Sequence, residues 1–252
     1  MMNQLRQRPD PDTRQSSAMT RLRVLLSRTE PALRAASAEL WSQPGLAQRY
    51  PRYLHAMHGV LRASVPLMER AALRCAELES CDPCAGRLRR YLETHAAEER
   101  DHDAWLLDDL AALGGDRAAV IEEQPCAAVA RLVGPQYYWI EHHHPVALLG
   151  YIAVLEGNAP HTGLAAWIAG AAEVPDSALR TVREHAELDT AHTEDIHRLL
   201  DDLALTDGQV RAITVSALCT AQALIGLFDH LVRIAPGRAP ARRPPTRLGA
   251  GI

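Results

Sequence analysis

Two stretches decide how this chain is read: His95-Ala-Ala-Glu-Glu99-Arg-Asp-His102 and His185-Ala-Glu-Leu-Asp189-Thr-Ala-His192. Each sets an imidazole, a carboxylate and a second imidazole at steps of four and then three residues. On an α-helix those steps return to one face, so His95, Glu99 and His102 are expected along one stripe and His185, Asp189 and His192 along another. Two helices that turn such stripes toward each other inside a bundle make a nitrogen- and oxygen-rich site for a first-row metal. Mixed carboxylate and imidazole donors without thiolate suit iron or manganese better than structural zinc. A third contributor is Glu156, at the end of the most apolar run of its helix, Pro145-Val-Ala-Leu-Leu-Gly-Tyr-Ile-Ala-Val-Leu-Glu156. An isolated ionised carboxylate there would cost several kcal/mol, so Glu156 needs a partner, either a metal or an arginine.

Outward from these segments, apolar residues recur at three- and four-residue steps, and few stretches alternate apolar with polar. The chain is therefore expected to be all-α. Pro and Gly punctuation divides it into helices over about 20–42, 51–79, 84–113, 117–133, 136–157, 161–172, 177–204 and 208–235. The segment 1–19 reads as a disordered tail without the apolar core of a signal peptide, and the Pro/Arg-rich segment 236–252 as a second tail. The longest uncharged apolar stretch, Ile213 to Phe228, falls short of the ~20 residues that span a bilayer. A cytoplasmic protein without a membrane segment is expected.

Composition removes whole reaction classes. The 27 basic residues apart from the 12 histidines are all arginines. Without lysine there is no Schiff base, no Walker-type phosphate loop and no kinase core. A formal net charge of −4 gives no global basic field to draw nucleic acid. Five cysteines at irregular spacing do not make a disulfide framework, and Cys81-Asp-Pro-Cys84 stands alone as a pair, read as inert thiols beside a helix start.

Glu99-x2-His102, then Glu156, then His185-x3-Asp189-x2-His192 resembles the heme-oxygenase-like di-iron oxidases and oxygenases, whose pattern is a Glu-x2-His, a lone Glu and a His-x3-Asp-x2-His. The resemblance covers about 20–235. It implies one bundle of seven to eight helices, with two Fe(II) ions held by Glu99, His102, Glu156, His185, Asp189 and His192, and O2 as cosubstrate. It implies a small-molecule substrate, an amino acid, an amine or a fatty acid, with an external electron donor as a possible partner. Amine-oxygenating members carry an extra carboxylate ligand two turns before the first glutamate. That position is Leu92 here, and Glu93 faces about 100° away. Oxidative C–C cleavage or decarboxylation is therefore expected ahead of N-oxygenation.

Some features stay open at this level. His95 fits three roles: an additional ligand, a hydrogen-bonding group behind the ligands, or a core histidine. Glu98, Asp101 and Glu184 are candidates for fixing imidazole tautomers. His142-His143-His144 is expected to open or kink a helix before Pro145. A non-catalytic ferritin-like metal protein is the alternative from another class, but that bundle leaves His185 without a task. An apolar helical surface makes a homodimer possible.

Overall fold

The computed structural model describes residues 18–233, apart from the side chains of residues 18, 19, 189 and 190. Both expected tails lie almost wholly outside the described residues. Within them the chain is all-α, with α1 (Ala18–Leu40), α2 (Leu46–Leu78), α3 (Ala85–Glu98), α4 (His102–Ala112), α5 (Arg117–Glu122), α6 (Ala127–His142), α7 (Leu148–Glu156), α8 (Leu164–Ala172), α9 (Arg180–Asp202) and α10 (Asp207–Arg233). Two short 3-10 turns, Pro145–Ala147 and Asp176–Ala178, lead into α7 and α9.

Helix α2 is one organising element. Leu46, Tyr50, Leu54, Val60, Leu67 and Ala71 are fully buried. They recur along one side of the helix and pack it on α3, α4 and α6. Each buried leucine of this kind is worth roughly 1.5–3 kcal/mol. The helix begins five residues before Pro51, where the sequence suggested its start. The loss of one backbone hydrogen bond at Pro51 is offset by burial of Leu46 and Tyr50 and by Arg49. That guanidinium donates to the carbonyls of Leu40 and Pro44, each at 2.9 Å, and so ties the end of α1 to the start of α2.

Helix α10 is the other, packing on α1, α6 and α7. By length and composition alone it could cross a membrane, being longer than the uncharged run within it. Its apolar residues Ile213, Ala217, Ala221, Leu224 and Leu227 are buried in the bundle. Gly150 of α7 meets it backbone to backbone: a Cβ there would stand 2.2 Å from the Ile213 carbonyl oxygen. That close crossing fixes α7, and with it Glu156 at its C-terminal end.

Beyond the earlier start of α2, the helix divisions differ from expectation between 84 and 157. The expected helix over 117–133 is divided, α5 ending at Glu122 and α6 starting at Ala127 after Pro125, and that over 136–157 is divided between His142 and Pro145. The expected break at Gly134-Pro135 falls inside α6. Gln136, buried on the next turn, donates to Thr220 Oγ1 at 3.4 Å and accepts from Ser216 Oγ at 3.3 Å, holding the segment on α10. More consequentially, the expected helix over 84–113 is two helices. Asp101 takes a left-handed conformation (φ 68°), which α-helical propagation does not allow. Glu99 therefore closes α3 and His102 opens α4. The histidine tract, expected to open or kink a helix, closes α6 at His142, and its last member, His144, opens the turn before α7 by accepting from the Val146 N–H at 3.1 Å.

Candidate metal centre

The site forms where the α3–α4 break, the end of α7 and the first half of α9 meet. Three of the expected ligands, Glu99, His102 and His192, are buried. Glu99 turns one carboxylate oxygen to each side. Oε2 lies 3.1 Å from His102 Nδ1 and Oε1 lies 3.5 Å from His192 Nδ1. Glu156 reaches the same space from α7, with Oε2 3.3 Å from His192 Nδ1 and Oε1 3.4 Å from His95 Nε2.

Two donor groups result, each with its ligand atoms within 4.8 Å of one another. One is Glu99, His102 and His185. The other is His95, Glu99, Glu156 and His192. Glu99 belongs to both. Asp189 lies between His185 and His192 on α9, but its side chain lies outside the described residues.

The electrostatics favour ligation. Burial alone would raise the Glu99 and Glu156 carboxyls, yet the facing imidazoles outweigh it and hold both below the usual carboxylate range. Burial lowers His185, so its imidazole is neutral at neutral pH and keeps a lone pair for a metal. Its Nδ1 lies 3.0 Å from the Thr181 carbonyl, which fixes the N–H there and leaves Nε2 as the donor atom. Among the described residues Glu156 Oε2 is buried without a hydrogen-bond partner, with His192 Nδ1 3.3 Å away. A buried carboxylate oxygen in that position fits a metal cation. The donor set, all imidazole and carboxylate, fits iron.

Supporting residues appear that spacing alone does not reveal. Trp105 stacks on His102 with ring centroids 3.9 Å apart, and the Arg180 guanidinium carbon lies 4.6 Å from the Trp105 ring centroid. Asp109, fully buried on α4, accepts from the N–H groups of Arg180 and Thr181 at 3.1 and 2.9 Å, and so anchors the start of α9 to α4. Both sit on steps of three and seven from His102, the helical signal that could have marked them. Glu98 faces His95 Nδ1 at 3.7 Å and His192 Nε2 at 3.8 Å. His144 lies away from the centre, paired with Asp82 at 2.8 Å in a network with Gln209 and Cys84. Burial pushes the Cys84 thiol up to about 12, in keeping with an inert cysteine.

A cavity of about 100 Å³ opens against Glu99, Glu156 and His185. Met57, Leu61, Leu155, Val182, Leu224 and Phe228 supply most of its wall, with Ser64, Thr181 and Asn158 among its polar groups. No arginine lines it among the described residues.

Fold and site together define an all-α bundle with a buried carboxylate–imidazole centre. The profile of the iron-containing redox enzymes matches residues 84–224, more than half of the chain, and the chain belongs to that family. The matched region holds every residue of the two donor groups. Among solved structures, the chain is similar to a domain of unknown function with a heme oxygenase-like fold from Shewanella denitrificans OS217. That match has 18% identity and a TM-score of 0.65, covering 85% of this chain and 88% of that one. It is also similar to a TenA homolog from Pseudomonas syringae pv. tomato, at 13% identity and a TM-score of 0.58, covering 91% of this chain and 99% of that one. At these identities the likeness establishes the heme oxygenase-like fold alone. No curated protein matches the chain in sequence.

Proposed function

We propose that this chain is a non-heme di-iron enzyme that uses O2 to oxidise a small organic substrate by C–C cleavage or decarboxylation. The observation that carries the reading is the double role of Glu99, whose two oxygens face the two donor groups. A carboxylate shared in this way suits two metal ions a few ångströms apart, about 3.5–4 Å in two-metal sites generally. In this reading Glu99, His102 and His185 hold one Fe(II). Glu99, Glu156 and His192 hold the other, with Asp189 as a further ligand. Bound iron supplies the one-electron chemistry that activates O2.

The protein contributes positioning and a dry chamber. Thr181 fixes the tautomer of His185, and the anionic carboxylates balance the cationic charge. Apolar walls exclude water and receive the hydrocarbon part of the substrate. A chamber of about 100 Å³ is smaller than the ~150 Å³ cavity that holds a benzene molecule, so the group taken in is compact. Without an arginine in the wall, a substrate carboxylate or amine is directed to the metal side. Leu92, at the place of the extra carboxylate expected of amine-oxygenating relatives, is fully buried in the apolar core, and Glu93 pairs with Arg89 at 2.9 Å. Both observations favour carbon chemistry over N-oxygenation.

The test is anaerobic Fe(II) titration followed by O2 uptake across a panel of short aliphatic carboxylates, amines and amino acids. Two Fe(II) per chain are expected, with uptake accelerated by one class of substrate. A protein that binds no Fe(II), or whose Glu156→Ala variant binds iron as the wild type does, defeats the proposal.

A further inference from the structure

Given the two-iron reading, we infer that His95 is a direct ligand of the metal held by Glu99, Glu156 and His192. The Glu99–His102–His185 position is then left with the fewer protein donors. His95 lies outside the six-residue set that the sequence pattern defines. It stands one turn before Glu99 on α3, is 4% exposed, and belongs to the same compact donor group.

Donor and acceptor accounting favours ligation over a plain core role. His95 presents Nδ1 to the Glu98 carboxylate at 3.7 Å and Nε2 to Glu156 Oε1 at 3.4 Å. His192 presents Nε2 to the same Glu98 oxygen at 3.8 Å and Nδ1 to Glu99 and Glu156. Glu98 thus stands behind both imidazoles. The shorter contacts, 3.3–3.5 Å, run from His95 Nε2 and His192 Nδ1 to Glu99 and Glu156, so without a metal these nitrogens turn their protons to the carboxylates. A cation among the four side chains would take the place of those protons, with Glu98 then set behind both rings to accept from the far nitrogen of each. Two imidazoles and two carboxylates converge on one buried space, a donor set that suits a metal cation.

Ring packing holds the geometry. His95 stacks on Tyr91 at 5.5 Å with planes 11° apart, and meets His192 edge-on at 4.6 Å.

The consequence is asymmetry between the two positions. With His95, the position beside α7 has four side chains in reach before Asp189 is counted. The position beside α4 has three. The apolar chamber touches Glu99 and His185 of the three-donor position and Glu99 and Glu156 of the other, and a smaller pocket beside it reaches His95. The smaller number of protein donors, rather than access, leaves more room for a small molecule at the three-donor position.

Anaerobic titration with Fe(II), and with Co(II) followed by its visible absorption, distinguishes the alternatives. The proteins compared are wild type, His95→Gln and Glu98→Gln. The glutamine amide at position 95 can still hydrogen-bond Glu156, so a merely supporting histidine would be replaced without loss. Wild type is expected to take up two metals. His95→Gln should keep one at wild-type affinity and bind the second more than about 100-fold weaker, beyond the ~10–100-fold cost of altering an outer partner. Its Co(II) spectrum should lose the contribution of one site only.

Two metals bound by His95→Gln at wild-type affinity overturn the assignment. If wild type binds a single metal that His95→Gln releases, the two-iron reading fails while His95 stands as a ligand. If wild type binds none, both fall. Glu98 is half exposed, so Glu98→Gln is the variant that keeps the fold where His95→Gln does not. Because Glu98 backs His192 as well as His95, the ring signals of its Co(II) form decide: four paramagnetically shifted imidazoles support the assignment, and only three overturn it.

Discussion

The segments His95–His102 and His185–His192 carry the same spacing of imidazole, carboxylate and imidazole, yet the backbone treats them differently. The second is continuous helix, in the middle of α9. The first is interrupted between Glu98 and His102 by a left-handed residue. In α9 the backbone runs as unbroken helix from His185 to His192. At the α3–α4 junction it does not, and the interruption gives Glu99 its place. As the residue that closes α3, Glu99 turns one oxygen to His102 at the head of α4 and the other to His192 on α9. The same spacing thus supplies imidazole donors from one helix and a shared carboxylate from the other.

The strongest way to break this comparison is to remove the shared carboxylate. Glu99→Ala should weaken both metal positions, each by more than about 100-fold, since it deletes a direct donor rather than an outer partner. His185→Ala should weaken only one. Anaerobic equilibrium dialysis with Fe(II) measures both variants. A Glu99→Ala protein that keeps one metal at wild-type affinity would show that the carboxylate serves a single position, and the contrast between the two segments would lose its functional meaning.

Much of this was legible beforehand. The apolar periodicity announced an all-α chain, and the paired motifs with Glu156 pointed to one buried cluster. Glu156 found imidazole partners where the sequence allowed a metal or an arginine. What escaped was whatever depends on a single backbone conformation or on contacts distant in sequence. Asp101 reads as a candidate partner for an imidazole, and only its φ shows it to be the break. Helix propensity carries straight through Glu-Arg-Asp-His, so nothing in the spacing signals the break. Pro51 and Pro135 misplaced helix boundaries for the opposite reason, because packing around Tyr50 and Gln136 outweighs a missing N–H. Asp109 joins α4 to a helix some 70 residues later, a relation no local pattern records.

A smaller effect is expected where the continuous helix is anchored. Asp109→Ala leaves the first N–H groups of α9 without their buried acceptor, and should cost roughly 2–3 kcal/mol of stability in the metal-free protein. The same carboxylate gives a pH dependence of defined sign. Burial raises its pKa, outweighing the two N–H groups that favour the anion. Its folded form therefore holds a proton more tightly than its unfolded form. Its contribution is full below the ordinary aspartate range and is lost as pH rises through the raised native value. The stability of wild type minus that of Asp109→Asn, from urea denaturation, should fall across that window. A difference that grows with pH would mean that the N–H groups outweigh burial.

The finest comparison concerns the break itself. Aspartate tolerates the left-handed region better than most residues, whereas a β-branched side chain does not. Asp101→Val should lower stability by about 1–2 kcal/mol. It should also drive the junction toward continuous helix, pulling Glu99 away from His102 and weakening the shared carboxylate at both metals. Asp101→Gly allows the same backbone at no steric cost and adds only unfolded-state entropy, so its stability should stay within about 1 kcal/mol of wild type. Its iron binding should be unchanged. The pair separates conformation from charge, because both variants delete the carboxylate and only one opposes the backbone. If Asp101→Gly loses iron as Asp101→Val does, the carboxylate of Asp101 matters in its own right. If Asp101→Val binds two Fe(II) as wild type does, the break in the helix is not what places Glu99 between the two positions.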